Sequence, residues 1–365
     1  MDNKQKQLQA ELLPLRQRID EIDEQLLALL NERAQVAVTV GEVKHSFGER
    51  DTILKPEREA QIIRRLQALN ARKIFPESSV QAVWSEIISA CRGLERGLVV
   101  AYLGPEGSFS EQAALSYYGH AIQKMPCESF DEVFHVVETG RANVGMVPIE
   151  NSTEGAVNRT QDLLLSSTVK VHGERTLPIS HCLLHKTGDL SQVTRLLGHP
   201  QALAQCHHWI TRNYPHLERV PAASNSEAAR LASEDPTCVA IAGMQAAMLY
   251  GLTVVVEGIQ DDANNKTRFL AIGKIDVLPS GNDQTSLIFA VPNRAGAVYD
   301  MISPFAKHQV SMRRFESRPA RTGQWEYYFY VDILGHYLDE PVAKALEELK
   351  EQSSFFKLLG SYPMQ

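Results

Sequence analysis

Between residues 12 and 40 the apolar side chains fall at Leu12, Leu15, Ile19, Ile22, Leu26, Leu29, Leu30, Val36 and Val40, with steps of three and four wherever the run is dense. That period belongs to one long amphipathic helix. Pro14 is compatible with such a helix only in its first turn, and Ser46, Phe47 and Gly48 bring it to an end. Two more helices are expected: one with Pro56 in its first turn running to about residue 71, and one opened by Pro76 that carries Val80, Val83, Trp84, Ile87 and Ile88 to about residue 93. A helix of about thirty residues is roughly 45 Å long at a rise of about 1.5 Å per residue, too long for two short partners to cover. Residues 1–97 are therefore expected to form an all-α unit intertwined with a second copy in a homodimer.

Composition narrows the setting. With 365 residues, 44% hydrophobic and 22% charged, the chain is globular and long enough for two or three cores. Five widely spaced cysteines without a C-x-x-C suggest neither a zinc knuckle nor a disulfide framework, and fit a reducing cytosol. There is no apolar signal core at the N-terminus and no run near the roughly 18 apolar residues of a membrane span. A net charge of −7 argues against nucleic acid as a partner, so an anionic ligand must be drawn by local arginines and helix N-termini. The spread histidines His181, His185, His199, His207 and His208 show no metal-ligand spacing, and neither metal nor cofactor is expected.

The helical charges suggest a site. Arg33 and Lys44, eleven residues apart, come within roughly 20° of one another at about 100° per residue. Arg16 lies seventeen residues before Arg33, about 100° round the axis, so a partner helix would have to return it to the same pocket. Spacing alone equally allows a solvated face of ion pairs with Glu21, Asp23, Glu24 and Glu32. The segments 15–23, 31–33, 40–44 and 56–59 resemble the all-helical chorismate mutase family in order and spacing. The resemblance implies a concerted rearrangement of chorismate to prephenate, driven by positioning and electrostatics. It assigns carboxylate binding to Arg33, Arg58 and a partner's Arg16, the ether oxygen to Lys44 and a substrate hydroxyl to Glu59. Cys91 and Glu95 stand where the enteric branch has serine and a donating glutamine. A carboxylate donates only when protonated, so Glu95 is expected to act as a neutral acid and mutase activity to fall as pH rises.

Periodicity changes after residue 97. A buried strand at 98–103 opens an α/β pattern over 98–278, with further strands near 144–147, 182–184, 239–242 and 253–256 and a Ser129-to-Glu132 capping box, consistent with two lobes around a cleft. Two polar loops follow strands and precede helices: 104–110, containing Ser108, and 148–155, containing Asn151, Ser152 and Thr153. The first offers glycines and a helix N-terminus to an anion, without a Rossmann or P-loop fingerprint. A third polar turn, Asn264-Asn265-Lys266-Thr267-Arg268-Phe269, sets a hydroxyl, a fixed cation and an aromatic side by side. With the segment from Gly198 to Gln205 and Cys206, these loops resemble prephenate dehydratases, whose fold is periplasmic-binding-protein-like. The implied reaction expels carbon dioxide and the ring hydroxyl from prephenate to leave phenylpyruvate, with Thr267 at the departing hydroxyl. Threonine is too weak an acid for simple proton donation, so hydrogen-bond stabilisation or a water relay is expected. Ser108, Asn151, Ser152, Thr153, Gln205, Arg268 and Phe269 are the expected pocket residues.

After a linker at 278–283, strands and helices over 284–365 follow the order β-α-β-β-α-β, a ferredoxin-like α+β arrangement. Asn293, Gly296, Ala297 and Val298, with Glu316, Ser317 and Arg318, resemble the two motifs by which ACT domains bind phenylalanine between chains; Val298 is smaller than the usual leucine. The resulting expectation is a cytosolic bifunctional enzyme of phenylalanine biosynthesis, feedback-inhibited by L-phenylalanine. Two alternatives stand beside it: a dehydratase with an inactive helical unit, and a non-catalytic sensor of aromatic metabolites.

Overall fold

A computed structural model describes residues 3–48, 54–291, 294–319 and 327–364. Helices α1 (Asn3–Ser46), α2 (Pro56–Leu69) and α3 (Glu77–Glu95) form the N-terminal unit. Helix α1 begins well before the expected start, so Pro14 lies inside it. The carbonyl of Ala10, which loses its helical partner to Pro14, sits in an exposed stretch where water can satisfy it. The apolar stripe foreseen on this helix is uncovered within one chain: Leu15 is 61% exposed, Leu26 52% and Leu29 61%.

The first lobe of the central unit is built from β1 (Leu98–Leu103), α4 (Phe109–Tyr118), β2 (Ile122–Cys127), α5 (Phe130–Glu138), β3 (Val144–Asn151), the short β4 (Gly155–Ala156), α6 (Asn158–Ser166) and β5 (Lys170–Pro178). The chain then crosses to a second lobe of β6 (Cys182–His185), β7 (Arg195–Gly198), α7 (Pro200–Gln205), α8 (His207–Asn213), β8 (Glu218–Pro221), α9 (Asn225–Glu234), β9 (Cys238–Ala242), α10 (Met244–Tyr250) and β10 (Thr253–Glu257). It returns to the first lobe as β11 (Lys266–Gly273). The first sheet has the order β2-β1-β3-β11-β5, with β4 on β3, and the second β10-β6-β9-β7-β8. Strand β11 lies antiparallel between β3 and β5, which sets Thr267 opposite Asn151. The two crossovers bond to each other, Ile179 N donating to Asn265 O and Ile259 N to His181 O. At α5 half of the expected capping box forms, Glu132 N donating to Ser129 Oγ, while the Glu132 carboxylate takes the N–H of Glu128, one residue before the cap, instead of that of Ser129.

The C-terminal unit adds β12 (Asp283–Ala290), α11 (Ala297–Lys307), β13 (Met312–Pro319), β14 (Tyr327–Leu334), α12 (Glu340–Gln352) and β15 (Phe355–Pro363) in an antiparallel sheet of order β13-β14-β12-β15. Strand alternation splits its side chains between two cores. Leu287, Phe289, Phe329 and Val331 pack with α11 and α12, whereas Ile288, Tyr330, Leu359 and Tyr362 join Val171, Leu270 and Ile272 of the first lobe. The approach is close enough that a Cβ on Gly360, at φ +148°, would lie 2.2 Å from the Val171 carbonyl oxygen.

Candidate active sites

Both loops anticipated at strand ends, together with the crossovers, enclose a cleft of about 1050 Å³ between the lobes. Thr267, the second residue of β11, points into its floor and is buried. Its neighbour Asn151 is oriented by the backbone: Asn151 Oδ1 accepts from the N–H groups of Thr153 and Glu154 at 3.0 and 3.1 Å. That leaves Nδ2 to donate to Thr267 Oγ1 at 2.8 Å and to Asn265 Oδ1 at 2.9 Å. Because Thr267 Oγ1 accepts this bond, its own proton is available to a ligand in the cleft.

The network continues across the crossovers. Asn265 Nδ2 donates to Gln205 Oε1 at 3.2 Å, and Gln205 Nε2 to Glu154 Oε1 at 2.8 Å. Gln205 Oε1 also accepts from His181 Nε2 at 2.9 Å, which fixes the Nε2-protonated tautomer and leaves His181 Nδ1 buried without a partner among the described residues. Burial holds this imidazole below its ordinary pKa, so it stays neutral at neutral pH, edge-on to Phe109 with ring centroids 5.5 Å apart. His181, Glu154 and Asn265 join this network although sequence reasoning did not select them as pocket residues. Only the tertiary meeting of two crossovers unites them, although Asn265 already stood in the polar turn 264–269 and Glu154 in the loop 148–155.

Ser108, Gln205, Asn151, Phe269 and Thr267 line the cleft as expected. Ser108 also caps α4, accepting from Glu111 N at 3.3 Å, while the Glu111 carboxylate takes the Gly107 N–H. The helix N-terminus expected to receive an anion is thus partly satisfied by the Ser108 hydroxyl, and the loop N–H just before it by the Glu111 carboxylate. Three expected pocket residues lie elsewhere. Arg268 follows Thr267 on a strand and so faces the opposite way: it pairs with Glu174 and Asp332, each at 2.6 Å, and donates to Tyr362 Oη at 3.2 Å. Ser152 Oγ accepts from Lys266 N at 2.9 Å in the turn outside the cleft. Thr153 reaches the network only through its backbone N–H, and its side chain is exposed.

The helical site is more open. Lys44 Nζ donates to Glu95 Oε2 at 3.3 Å, so in the free protein Glu95 is an acceptor, and it could donate to a substrate only if its carboxyl were protonated. Cys91, buried, is one turn before Glu95 on the same face of α3. Glu59 accepts from Arg92 Nη1 at 2.6 Å. Burial raises its pKa, which Arg92 most strongly, and Arg33 more weakly, pulls back. Arg58 is exposed. Arg16 is exposed too, twenty-eight residues before Lys44 on one helix, or about 42 Å along the axis, and does not reach that group within one chain.

In the C-terminal unit Gly296 takes φ +80° as the N-cap of α11, Ala297 is buried and Val298 is 40% exposed. Asn293 lies outside the described residues. Ser317 is exposed on β13, but Glu316 and Arg318 alternate to the other face and engage α6. Gln161 Nε2 donates to Glu316 Oε1 at 3.0 Å, and Arg318 Nη2 to Asp162 Oδ2 at 2.9 Å. Those two side chains bind the neighbouring unit rather than sharing a face with Ser317.

An all-helical unit, a two-lobed α/β unit with a polar cleft and a ferredoxin-like unit define a multidomain enzyme with two separate sites. Its segments match family models described as chorismate mutase type II over 15–96, prephenate dehydratase over 100–276 and ACT domain over 285–351. A bifunctional chorismate mutase/prephenate dehydratase of Neisseria gonorrhoeae is 46% identical over 355 residues, 96% of this chain and 97% of the relative. Among solved structures, a prephenate dehydratase from Arthrobacter aurescens in complex with L-Phe is 32% identical with a TM-score of 0.66, covering 73% of this chain and 90% of that one. GqqA, described as a novel type of quorum quenching acylase, is 31% identical with the same TM-score of 0.66, covering 73% of this chain and 98% of that one. The chain belongs to the bifunctional chorismate mutase/prephenate dehydratase family.

Proposed function

We propose that this chain rearranges chorismate to prephenate at its helical unit, dehydrates and decarboxylates prephenate in its cleft, and is inhibited by L-phenylalanine through its C-terminal unit. The modules are 1–97, 98–278 and 284–365, acting in the cytosol as a homodimer without cofactor. The observation that carries the dehydratase reading is the Asn151 amide, which occupies the acceptor side of Thr267 and leaves its O–H for the departing ring hydroxyl. A preorganised hydrogen bond stabilises leaving hydroxide without full proton transfer, and aromatisation supplies the driving force. Gln205, Ser108, Phe269, His181 and Asn265 shape the remainder of that pocket.

For the mutase step, Arg33, Arg58 and the partner subunit's Arg16 hold the two carboxylates, Lys44 meets the ether oxygen as charge develops there, and Glu59 accepts from the substrate hydroxyl. Glu95, beside Cys91, completes the pocket once Lys44 turns to substrate. The uncovered stripe on α1 supports an intertwined dimer, which would bring Arg16 to a site formed with another chain. Phenylalanine would bind near Gly296, Ala297, Val298 and Ser317. The deciding experiment gives pure protein chorismate and follows prephenate and phenylpyruvate. Both should appear in turn, and phenylpyruvate should slow with L-phenylalanine; prephenate consumed without being formed from chorismate would leave only the dehydratase.

A further inference from the structure

Helix α3 packs on the end of α4 so tightly that a Cβ on Gly119 would lie 2.4 Å from Ser89 Cβ, and Ala121 N donates to Ser89 Oγ at 3.2 Å. His120 adds a contact with Glu86 at 2.8 Å. Within this junction Arg92 is 5% exposed. One guanidinium nitrogen donates to Glu59 Oε1 at 2.6 Å, and the other to the backbone carbonyl of Tyr118. Tyr118 is the last residue of α4, so its carbonyl belongs to the group that a helix leaves unpaired at its negative end. The cation is therefore clamped between two negative poles, one in each unit.

We propose that Arg92 is a positioning residue of the mutase site, holding the Glu59 carboxylate in the orientation that accepts the substrate hydroxyl, with its own orientation set by the end of α4. This rests on the role given to Glu59 above. Arginine suits the task because its planar fork fixes two acceptors at once, which a lysine ammonium does not. Around Glu59 stand Arg92 on α3, Arg33 on α1, Glu57 on its own helix, and Tyr117 and Tyr118 on α4. Since Arg92 is the strongest influence favouring the ionised form, its removal leaves burial opposed chiefly by Arg33.

The test compares Glu59→Gln, Arg92→Met, Arg92→Lys and the Glu59→Gln/Arg92→Met double variant in the full-length protein. Mutase kcat and KM are followed from pH 5 to 9, with dehydratase turnover measured on the same preparations. Arg92→Met should lower mutase kcat/KM on the order of a hundredfold and move the acid limb of its profile to higher pH, with dehydratase turnover within about twofold of the parent. Arg92→Lys should return the acid limb toward its original place but only part of the rate. The double variant should be no worse than Glu59→Gln. Arg92→Met with rate and acid limb unmoved, while Glu59→Gln is impaired, would overturn the proposal. So would parallel loss of both activities, which would make Arg92 a folding residue. Unchanged mutase kinetics in Glu59→Gln would instead remove the Glu59 assignment and the proposal with it.

Discussion

At the level of single residues, Thr267 owes its usefulness to what surrounds it. Replacing it with alanine should lower dehydratase kcat by about 10²–10³-fold, the usual loss for one preorganised donor, and leave mutase turnover untouched; following prephenate loss and chorismate loss separately checks both. The turn around Thr267 was legible as a site because a hydroxyl, a cation and an aromatic stood together after a polar loop. Arg268 was misread for a reason visible in hindsight, since adjacent strand residues face opposite ways and only one of the pair can enter the cleft. His172 allows a second test. It is fully buried on β5, hydrogen-bonded to Tyr118 Oη at 2.9 Å, with burial holding its pKa down at about 3 against an ordinary 6.5. The unfolded chain therefore binds a proton that the folded one refuses, so stability should be full above pH 6.5 and decline as pH falls toward 3. At about 1.4 kcal/mol per pH unit the loss amounts to several kcal/mol. Urea midpoints measured across that window should show the slope in the parent and a smaller one in His172→Gln.

Among the elements, α6 has the most demanding surroundings. It follows the β3–β4 hairpin that carries Asn151 and Glu154, and the C-terminal sheet grips it along its length. Glu316 and Arg318 meet its first turns, Tyr330 Oη donates to Gln161 O at 2.9 Å, and Lys357 Nζ donates to the carbonyls of Leu164, Leu165 and Ser167 at its far end. A half-buried ammonium on three terminal carbonyls satisfies groups that a helix leaves open and opposes its dipole. Lys357→Met should destabilise the protein by about 1–3 kcal/mol. Amide exchange in α6 should quicken more than in α9, a helix of the other lobe. In the central unit the apolar runs disclosed strands β1, β3, β6 and β9, which are largely buried, and the half-buried β10, whereas β2 and β8, more exposed, carried no such signal. Which element the edge strand β13 would address was invisible, because Glu316 and Arg318 find their partners about 155 residues away in sequence.

For the molecule as a whole, the long first helix was the most readable feature and its uncovered stripe the strongest sign that one chain is incomplete. Burying a leucine side chain is worth about 1.5–3 kcal/mol, so a charge at Leu26 should weaken a helix-mediated dimer severely. Leu26→Asp should sediment as a monomer and lose mutase turnover through loss of the partner subunit's Arg16, while keeping most dehydratase turnover; an unchanged dimer would show that other surfaces hold the chains together. The linker near 278–283 looks like a seam in the sequence, yet the Arg268 ion pairs show that it is not one in three dimensions. Arg268, next in the chain to Thr267, takes one carboxylate from its own unit and one from the C-terminal unit. Exchanging C-terminal units between family members at that linker would therefore separate charges that pair across the boundary in this chain, so a working chimaera needs positions 268, 332 and 362 to travel as a set.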